Sequence, residues 1–258
     1  MPQGAGSRTF THVNVIRSKH KVVPTATGGL FLAVLLACAP TAAAADTTLT
    51  AEAGSIAAPD CDQEKCIALT FDDGPGPYTD DLLDILAGHD AEATFYLLGS
   101  NVEKFPDTVE RMADQGHEIG THTWKHDDLT TLSGADIEDD LERTDKAVED
   151  ITGERPATVR PPYGSLDDTV RGAVDRPIVL WDVDTLDWQS RDAGAVTGIT
   201  MEGAGRGGIV LFHDIHESTV EAVPGILDGL AGEGYRFVTV SQLAGDDLEP
   251  GTAITGTR

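Results

Sequence analysis

The stretch CIALTFDDGP, residues 66–75, decides how the rest of the chain is interpreted. Its apolar first part is typical of a buried strand, and the final glycine and proline turn the chain. Adjacent residues of an extended segment point in opposite directions, so Asp72 and Asp73 can take different tasks. One carboxylate could hold a cation while the other handles a proton, although an ordinary turn at a strand end would also suit this sequence.

Apolar runs alternate with amphipathic stretches downstream of this strand. The strands that we predict span residues 66–71, 93–98, 118–121, 157–160, 178–183, 208–212 and 237–240. The helices that we predict span residues 79–86, 106–115, 134–152, 166–174, 193–201 and 219–231, and Ser133 and Gly153 bound the third. About seven βα units in series indicate an α/β protein with a mainly parallel sheet, which at this length favours a barrel over an open sheet.

The N-terminal segment differs from the rest of the chain. Residues 1–45 hold four basic residues and no acidic ones, and an apolar run over 30–39 precedes a run of small residues. This order predicts a secretory signal peptide that is cleaved near Ala45. A retained membrane anchor and lipidation at Cys38 are the alternatives. We therefore expect a secreted or cell-surface protein.

The remaining chain divides by composition into three parts. Residues 46–60 are small and polar without periodicity, which predicts a linker. Residues 61–245 hold the alternating pattern and form the predicted catalytic domain. Residues 246–258 are polar and acidic and contain glycine, which predicts a disordered tail.

The charge of the chain restricts its partners. The sequence has 44 acidic against 18 basic residues, and removal of the signal peptide would take away four of the basic ones. Nucleic acids and anionic membranes would be repelled, so we expect neither as a partner. Neutral or cationic substrates are favoured, and we expect a monomer.

Two cysteines lie just before the first strand, separated by a short polar loop. In an exported protein, Cys61 and Cys66 are expected to form a disulfide. A zinc site is less favoured at this place because no histidine lies nearby in the sequence.

Five short groups of polar residues fall near the predicted ends of strands. They are Asp72-Asp73, His122–His126, Arg160–Gly164, Asp184–Trp188 and Leu211–Asp214. In barrel enzymes the carboxyl ends of the strands share one rim, where catalytic residues gather. These groups could therefore converge although they are far apart in sequence.

Two histidines of the second group have the spacing of metal ligands. His122 and His126 are four positions apart, so one helical turn or a similar loop would present both imidazoles to one cation. With Asp73 they make a set of two histidines and one carboxylate. Such a set leaves open positions for water and substrate, which is typical of a catalytic metal site. The alternative is a pair of ordinary exposed histidines.

Further candidates are single residues. His213 ends an apolar strand and could be a general acid, with His216 as a competitor, or it could be bonded to backbone. Arg160 lies in a proline-rich turn that could hold its guanidinium against a carboxylate, although a lone loop arginine is more often a surface residue. Trp188 and Leu211 could line a small apolar pocket or belong to the core.

Taken together, the five groups resemble the motifs of the NodB-like polysaccharide deacetylases, carbohydrate esterase family 4. The resemblance extends over residues 66–243, and the segment TFDDGP at 70–75 matches the first family motif without a departure. Five motifs in the same order make a chance match improbable. The resemblance implies the family's fold, a distorted (β/α) barrel, here of about seven parallel strands.

The resemblance also implies which residues bind metal and transfer protons. Asp73, His122 and His126 would bind one divalent metal ion, usually Zn²⁺ and sometimes Co²⁺ or Ni²⁺. Asp72 would be the general base that takes a proton from water. His213 would be the general acid that protonates the leaving amine.

Supporting roles follow from the same resemblance. Arg160 would orient the base, and Asp187 would position Arg160 and tune the acid. The backbone N–H of Tyr163 would stabilise the oxyanion. Trp188 and Leu211 would contact the acetyl methyl group.

Amide hydrolysis needs an activated water, a stabilised oxyanion and a proton for a poor leaving group, and the motif residues supply all three. We therefore expect a metal-dependent hydrolase that removes N-acetyl groups from glycans, above all from N-acetylglucosamine of peptidoglycan or chitin oligomers. An acetylxylan esterase with the same site is the alternative enzyme. A non-catalytic carbohydrate-binding relative is disfavoured because the ligands, the base and the acid are all present.

Overall fold

The structure is a computed structural model that describes residues 59–245 and 248–257. The predicted signal peptide, the possible lipid attachment at Cys38 and residues 46–58 of the predicted linker lie outside the described residues. Within the described ranges, no helix has the length and apolar character needed to cross a membrane.

Eight strands and nine α-helices make up the described part of the chain. The strands are β1 Lys65–Asp72, β2 Thr94–Leu97, β3 Glu118–Thr121, β4 Ile178–Val179, β5 Val183–Asp184, β6 Gly208–His213, β7 Tyr235–Phe237 and β8 Ala253–Ile254. The helices are α1 Thr79–Gly88, α2 Gly99–Val102, α3 Pro106–Asp114, α4 Gly134–Thr152, α5 Asp168–Ala173, α6 Asp187–Ser190, α7 Ala193–Gly203, α8 Glu217–Gly232 and α9 Val240–Ala244.

The main sheet is parallel and is centred on β1. Its strand order is β3-β2-β1-β6-β5, and β7 pairs with the first residues of β1. Bridges from Thr121 to Val159 and from Val159 to Ile178 extend the parallel arrangement from β3 towards β4. The prediction of an α/β fold with parallel strands is confirmed. Among the described strands, the hydrogen-bonded ladders do not close a complete ring.

Strand β1 is buried on both faces, which explains its nearly continuous apolar sequence. Ile67, Leu69 and Phe71 belong to the larger core cluster, together with apolar residues of the surrounding helices. The ring of Phe71 stacks against Phe95 of β2 and Phe212 of β6, with centroids 5.3 Å apart in both pairs. This packing holds β1 and β6, which end at the site residues Asp72 and His213, together with the adjacent strand β2.

Helix α4 has the boundaries that the sequence predicts. The Ser133 hydroxyl accepts a hydrogen bond from the Asp136 backbone N–H, which satisfies one of the free donors of the first turn. Gly153 ends the helix with φ of 77°, a left-handed conformation that glycine adopts without a steric penalty.

Near the amino end of β1, Cys61 and Cys66 form a disulfide.

Two predicted strands next to Arg160 differ from the observed ones. The strand predicted at 157–160 is reduced to bridges at Val159, because prolines at 156, 161 and 162 lack the N–H that a ladder needs. The strand predicted at 178–183 is split into β4 and β5. The carbonyls of Val179, at the end of β4, and of Leu180, just after it, accept hydrogen bonds from the Arg160 side chain.

The C-terminal region also differs from the prediction. The strand predicted at 237–240 ends at Phe237, because Thr239 and Gln242 form a capping box that begins α9. The prediction of a disordered tail is wrong for residues 248–257. Ala253 and Ile254 pair in parallel with β4, and Gly256 bridges to Gly208, so backbone pairing orders this otherwise polar segment.

Candidate active site

The five sequence groups meet at the carboxyl ends of the central strands. Asp72 ends β1 and His213 ends β6, and the register of these two strands places the two residues opposite each other. His122 directly follows β3, and Arg160 follows the bridge at Val159. Asp187 begins α6 just after β5, so every catalytic and metal-binding candidate lies on this one rim.

The turn after β1 separates the two aspartates. Asp73 adopts a left-handed conformation with φ of 72°, so the chain changes direction between the two carboxylates. The Asn101 side chain donates to the Asp73 carbonyl at 2.8 Å, and the Leu98 N–H donates to the Gly74 carbonyl at 3.1 Å. Asp72 is consequently buried against Arg160, whereas Asp73 faces the two histidines.

Asp73, His122 and His126 form a group that fits a metal ion. One ligand atom from each lies within 4.8 Å of the others. The Asp73 Oδ1 atom is 3.6 Å from His122 Nε2 and 3.4 Å from His126 Nε2. This oxygen is buried and has no hydrogen-bond partner, which is costly unless a cation satisfies it.

The environment of His122 prepares it for metal binding. Its Nδ1 atom lies 2.6 Å from the Arg160 carbonyl, which leaves Nε2 as the free nitrogen facing Asp73. Burial lowers the pKa of His122, although the nearby carboxylates act in the opposite direction. A neutral imidazole with a fixed tautomer is the form that binds a metal ion.

A tight loop, rather than a helix, presents the second histidine. His126 has φ of 68°, and its backbone N–H donates to the Thr123 hydroxyl at 3.0 Å. The first residues of α2 hold this loop, since the Gly99 N–H donates to the Thr123 carbonyl and the Ser100 N–H to the Trp124 carbonyl. The spacing of four positions therefore brings the two imidazoles together through a loop with left-handed residues at Thr123 and His126, and not through a helical turn.

Arg160 is fully buried and fixed in its orientation. Its Nη1 atom donates to Asp72 Oδ1 at 2.7 Å and to the Thr70 hydroxyl at 2.8 Å. Its Nε and Nη2 atoms donate to the carbonyls of Val179 and Leu180. These bonds make Arg160 the counter-ion of Asp72 and exclude the surface-arginine alternative.

Asp187 binds the proposed acid through both of its oxygens. Oδ1 lies 2.8 Å from His213 Nδ1 and accepts from the Trp188 N–H, and Oδ2 accepts from the His213 N–H and the Thr219 hydroxyl. Burial acts to lower the pKa of His213, but the hydrogen bond and charge of Asp187 outweigh it and raise this pKa to about 9. The same contacts hold the pKa of Asp187 below its usual value despite burial.

The expected contact of Asp187 with Arg160 needs correction, and the structure also distinguishes between His213 and His216 as candidate acids. Among the described residues, no hydrogen bond or ion pair joins Asp187 to Arg160, whose guanidinium donates instead to Asp72, Thr70 and two backbone carbonyls. Of the two candidate acids, His213 is the one whose ring is hydrogen-bonded to the Asp187 carboxylate. Burial and the charge of Arg191 lower the pKa of His216, whose ring lies 5.9 Å from that of His213.

The candidate substrate contacts are two exposed aromatic residues and one buried leucine. Tyr163, which has φ of 61°, is 68% exposed, and Trp188 is 47% exposed, so both offer apolar surface at the rim. The Tyr163 ring meets His126 edge to face, with centroids 4.5 Å apart. Leu211 is buried within β6, where its Cα pairs with Thr70 of β1.

Asp214 lies beside the site and belongs to the fifth sequence group, but the sequence pattern assigned it no role. It is buried beside the turn after β1 and accepts a hydrogen bond from the Thr79 hydroxyl, which in turn accepts from the Gly76 N–H. Burial raises the pKa of Asp214 to about 7. A Cβ atom at Gly74 would lie 2.5 Å from both Asp214 carboxylate oxygens, so this carboxyl group occupies the space that glycine leaves. Its position next to His213 in the fifth group was the one available signal.

Comparisons with known proteins agree with this geometry. A sequence model of the polysaccharide deacetylase family matches residues 60–176. A peptidoglycan-N-acetylglucosamine deacetylase of Listeria monocytogenes is 44% identical over 194 residues, which cover 75% of this chain and 42% of the relative. A peptidoglycan-N-acetylglucosamine deacetylase of Bacillus cereus is 37% identical over 188 residues, which cover 68% of this chain and 69% of the relative.

The fold comparison gives the same result. The solved structure of a T48 deacetylase with substrate has 49% sequence identity and a TM-score of 0.75, and the match covers 76% of this chain and all of that one. Against the Listeria relative, the chain spans about two fifths of the relative's length. The sequence motifs, the parallel sheet and these matches agree that the chain belongs to the polysaccharide deacetylase family, the NodB-like carbohydrate esterases of family 4.

Proposed function

We propose that this protein hydrolyses the N-acetyl groups of N-acetylglucosamine residues in peptidoglycan, with one divalent metal ion, Zn²⁺, as cofactor. The observation that carries the proposal is the register of β1 and β6, which sets Asp72 opposite His213 beside the Asp73–His122–His126 set. A base and an acid on neighbouring strands flank one position where an acetamide can be attacked on one side and protonated on the other.

The metal set supplies the first requirement of amide hydrolysis. A divalent cation held by Asp73, His122 and His126 would lower the pKa of water from about 16 towards about 7 and polarise the acetyl carbonyl. Two imidazole nitrogens and one carboxylate are ligands that suit Zn²⁺ and leave a position open. Co²⁺ and Ni²⁺ accept the same donors.

Asp72 is assigned as the general base. Its Oδ1 atom is bonded to Arg160, so Oδ2, which lies 3.7 Å from His122 Nε2, is the oxygen left to take a proton from the attacking water. The buried guanidinium keeps this carboxylate from swinging away from that position.

His213 is assigned as the general acid. Asp187 binds its Nδ1, which leaves Nε2 to donate a proton to the leaving nitrogen. With its pKa raised to about 9, the ring is protonated at neutral pH, as a general acid must be. The backbone N–H of Tyr163 is assigned to the oxyanion, and Trp188 and Leu211 are assigned to the acetyl methyl group.

The substrate is proposed from the relatives and from the rim. Two of the relatives are named for deacetylation of N-acetylglucosamine in peptidoglycan. The exposed faces of Tyr163 and Trp188 suit the apolar faces of sugar rings. We infer that the protein acts as a monomer outside the cell, where peptidoglycan is accessible.

The test is acetate release from peptidoglycan, chitopentaose and acetylxylan, with and without a chelator. We expect release from the N-acetylated substrates, loss of activity after chelation and recovery with Zn²⁺. Asp72→Asn should lower kcat by about 10²- to 10⁴-fold while zinc content is retained, because the variant loses only the base. Asp81→Asn, on the exposed side of α1, is the matched control and should behave as the wild type.

His126→Ala should lower the zinc bound per chain in elemental analysis, because one of three protein ligands is removed. Full zinc content in this variant would contradict the metal site. Wild-type rates in Asp72→Asn would remove Asp72 as the base. Release from acetylxylan alone would overturn the assignment to N-acetyl groups.

A further inference from the structure

We propose that a buried ion pair outside the site, between Asp145 of α4 and Arg176, positions His122 and Arg160 by fixing Thr121 at the end of β3. Asp145, Arg176 and Thr121 act as positioning residues, since none of them belongs to the metal set or to the proton-transfer groups. The inference rests on the proposed metal-dependent function.

The ion pair is deeply buried and doubly bonded. The side chains of Asp145 and Arg176 are 1% and 9% exposed. Arg176 Nη1 lies 2.7 Å from Asp145 Oδ2, and Nη2 donates to Oδ1 at 2.7 Å. A buried pair of this kind adds little net stability compared with apolar residues of the same shape, so its value lies in fixing the position of what it binds.

Thr121 is the group that the pair fixes. Its hydroxyl donates to Asp145 Oδ1 and accepts from Arg176 Nη2 at 3.2 Å, so one side-chain orientation satisfies both partners. Its backbone is held as well, because the Thr121 N–H donates to the Thr158 carbonyl at 3.0 Å. The last residue of β3 is therefore tied to α4, to the segment after α5 and to the neighbouring chain segment.

Two bonds carry this constraint into the site. The Thr121 carbonyl accepts from the Arg160 N–H at 2.9 Å, and the Arg160 carbonyl lies 2.6 Å from His122 Nδ1. His122 also follows Thr121 directly in the chain. A shift of Thr121 would therefore move a metal ligand and the arginine that holds Asp72 at the same time.

A neighbouring arginine provides a control built into the structure. Arg155 Nε also binds Asp145 Oδ2, at 3.0 Å, but its side chain is 45% exposed and its other ion pairs are with Glu142 and Asp175. It has no bond to Thr121. Loss of Arg155 therefore weakens the surroundings of Asp145 without releasing the end of β3.

The experiment compares threonine variants of the full chain. Thr121→Val keeps the branched shape and removes the hydroxyl, and Thr200→Val removes a buried hydroxyl that bonds only within α7. The affinity for Zn²⁺ alone is measured by competition with a chromogenic chelator, together with kcat and KM for acetate release and the melting temperature. Replacement of groups that orient metal ligands typically costs about 10- to 100-fold in metal affinity.

We expect Thr121→Val to bind Zn²⁺ at least about tenfold more weakly and to lower kcat more than KM changes. Thr200→Val and Arg155→Met should keep the zinc affinity of the wild type, even where their melting temperatures fall. Thr121→Ser, which retains a hydroxyl, should recover most of the affinity. Arg176→Lys keeps the charge but loses the two-pronged contact, and it should give an intermediate affinity.

Equal zinc affinity in Thr121→Val and Thr200→Val would overturn the positioning role. If Thr121→Val does not fold, wild-type zinc affinity in Arg176→Lys would overturn it instead. A different result would overturn the proposed function itself, namely a wild-type protein that binds no divalent cation and releases no acetate.

Discussion

Replacement of Asp187 by asparagine should shift the pH range in which the enzyme works. The carboxylate accepts bonds from His213 Nδ1 at 2.8 Å and from the His213 N–H, the Trp188 N–H and the Thr219 hydroxyl, each at 2.7 Å. Asparagine has the same size, but it carries no charge and replaces one accepting oxygen by an NH₂ group. The change therefore removes the stabilisation of a protonated His213 while it preserves the packing.

The size of the effect follows from the pKa of His213. Asp187 contributes most to raising this pKa to about 9, with smaller contributions from the charges of Asp72 and Asp73, and without its carboxylate, burial would bring the pKa back to roughly the unperturbed value of about 6.5. A difference of about 2.5 units corresponds to about 3 kcal/mol. At pH 8 about nine tenths of the wild-type imidazole is protonated, against about 3% in the variant, so kcat/KM should fall about 30-fold. At pH 6 the same comparison gives a loss of less than about twofold.

The assay is kcat/KM for acetate release between pH 5.5 and 9.5 on zinc-loaded protein, with the alkaline limb as the readout. Thr219→Val serves as the graded control, since it removes one hydrogen bond to Asp187 and keeps the charge. Its alkaline limb should lie between those of the wild type and Asp187→Asn. An alkaline limb that stays near pH 9 in Asp187→Asn, or an equal loss at pH 6 and pH 8, would refute the assignment of His213 as the acid tuned by Asp187.

Two further changes test the turn and the entry to β1. Gly74→Ala should lower the free energy of unfolding by at least about 2 kcal/mol in urea titration, because its Cβ would lie 2.5 Å from the Asp214 carboxylate oxygens. Gly225→Ala, where the added Cβ meets open space in α8, should be neutral or stabilising by up to about 1 kcal/mol, and equal losses in the two variants would contradict the steric reason. Replacement of Cys61 and Cys66 by serine should cost about 2 kcal/mol of unfolding free energy without lowering kcat, since the loop is short and lies at the opposite end of β1. A loss of activity at a temperature where this variant is folded would show that the disulfide shapes the site.

The parts of the fold that local sequence determines could be predicted. The residue types at 66–75 are enough to predict both the buried strand β1 and the turn that follows it. Ser133 and Gly153 mark the ends of α4 through side-chain and backbone preferences that act over a few residues. The rim could also be predicted, because parallel strands that alternate with helices direct their carboxyl ends to one side.

The parts that depend on distant partners could not be predicted. Asp145 and Arg176 are 31 positions apart and lie in a helix and a loop, where neither residue forms a local pattern. Arg160 interrupts a strand by taking the carbonyls of Val179 and Leu180, and that effect is visible only once the chain is folded. At 237–240 the β-branched and aromatic residues favour a strand, but the capping box at Thr239 prevails.

The charges of the site provide a separate argument for a cation. Arg160 neutralises Asp72 at 2.7 Å, and a protonated His213 neutralises Asp187 at 2.8 Å. These two pairs leave the Asp73 carboxylate, whose described ionic contacts are with imidazole rings. Burial lowers the pKa of one of them, His122, so that ring does not supply the missing positive charge. A site that already pairs its base and its acid with fixed counter-ions is therefore short of positive charge at Asp73, and a divalent cation there would balance it while activating water next to Asp72.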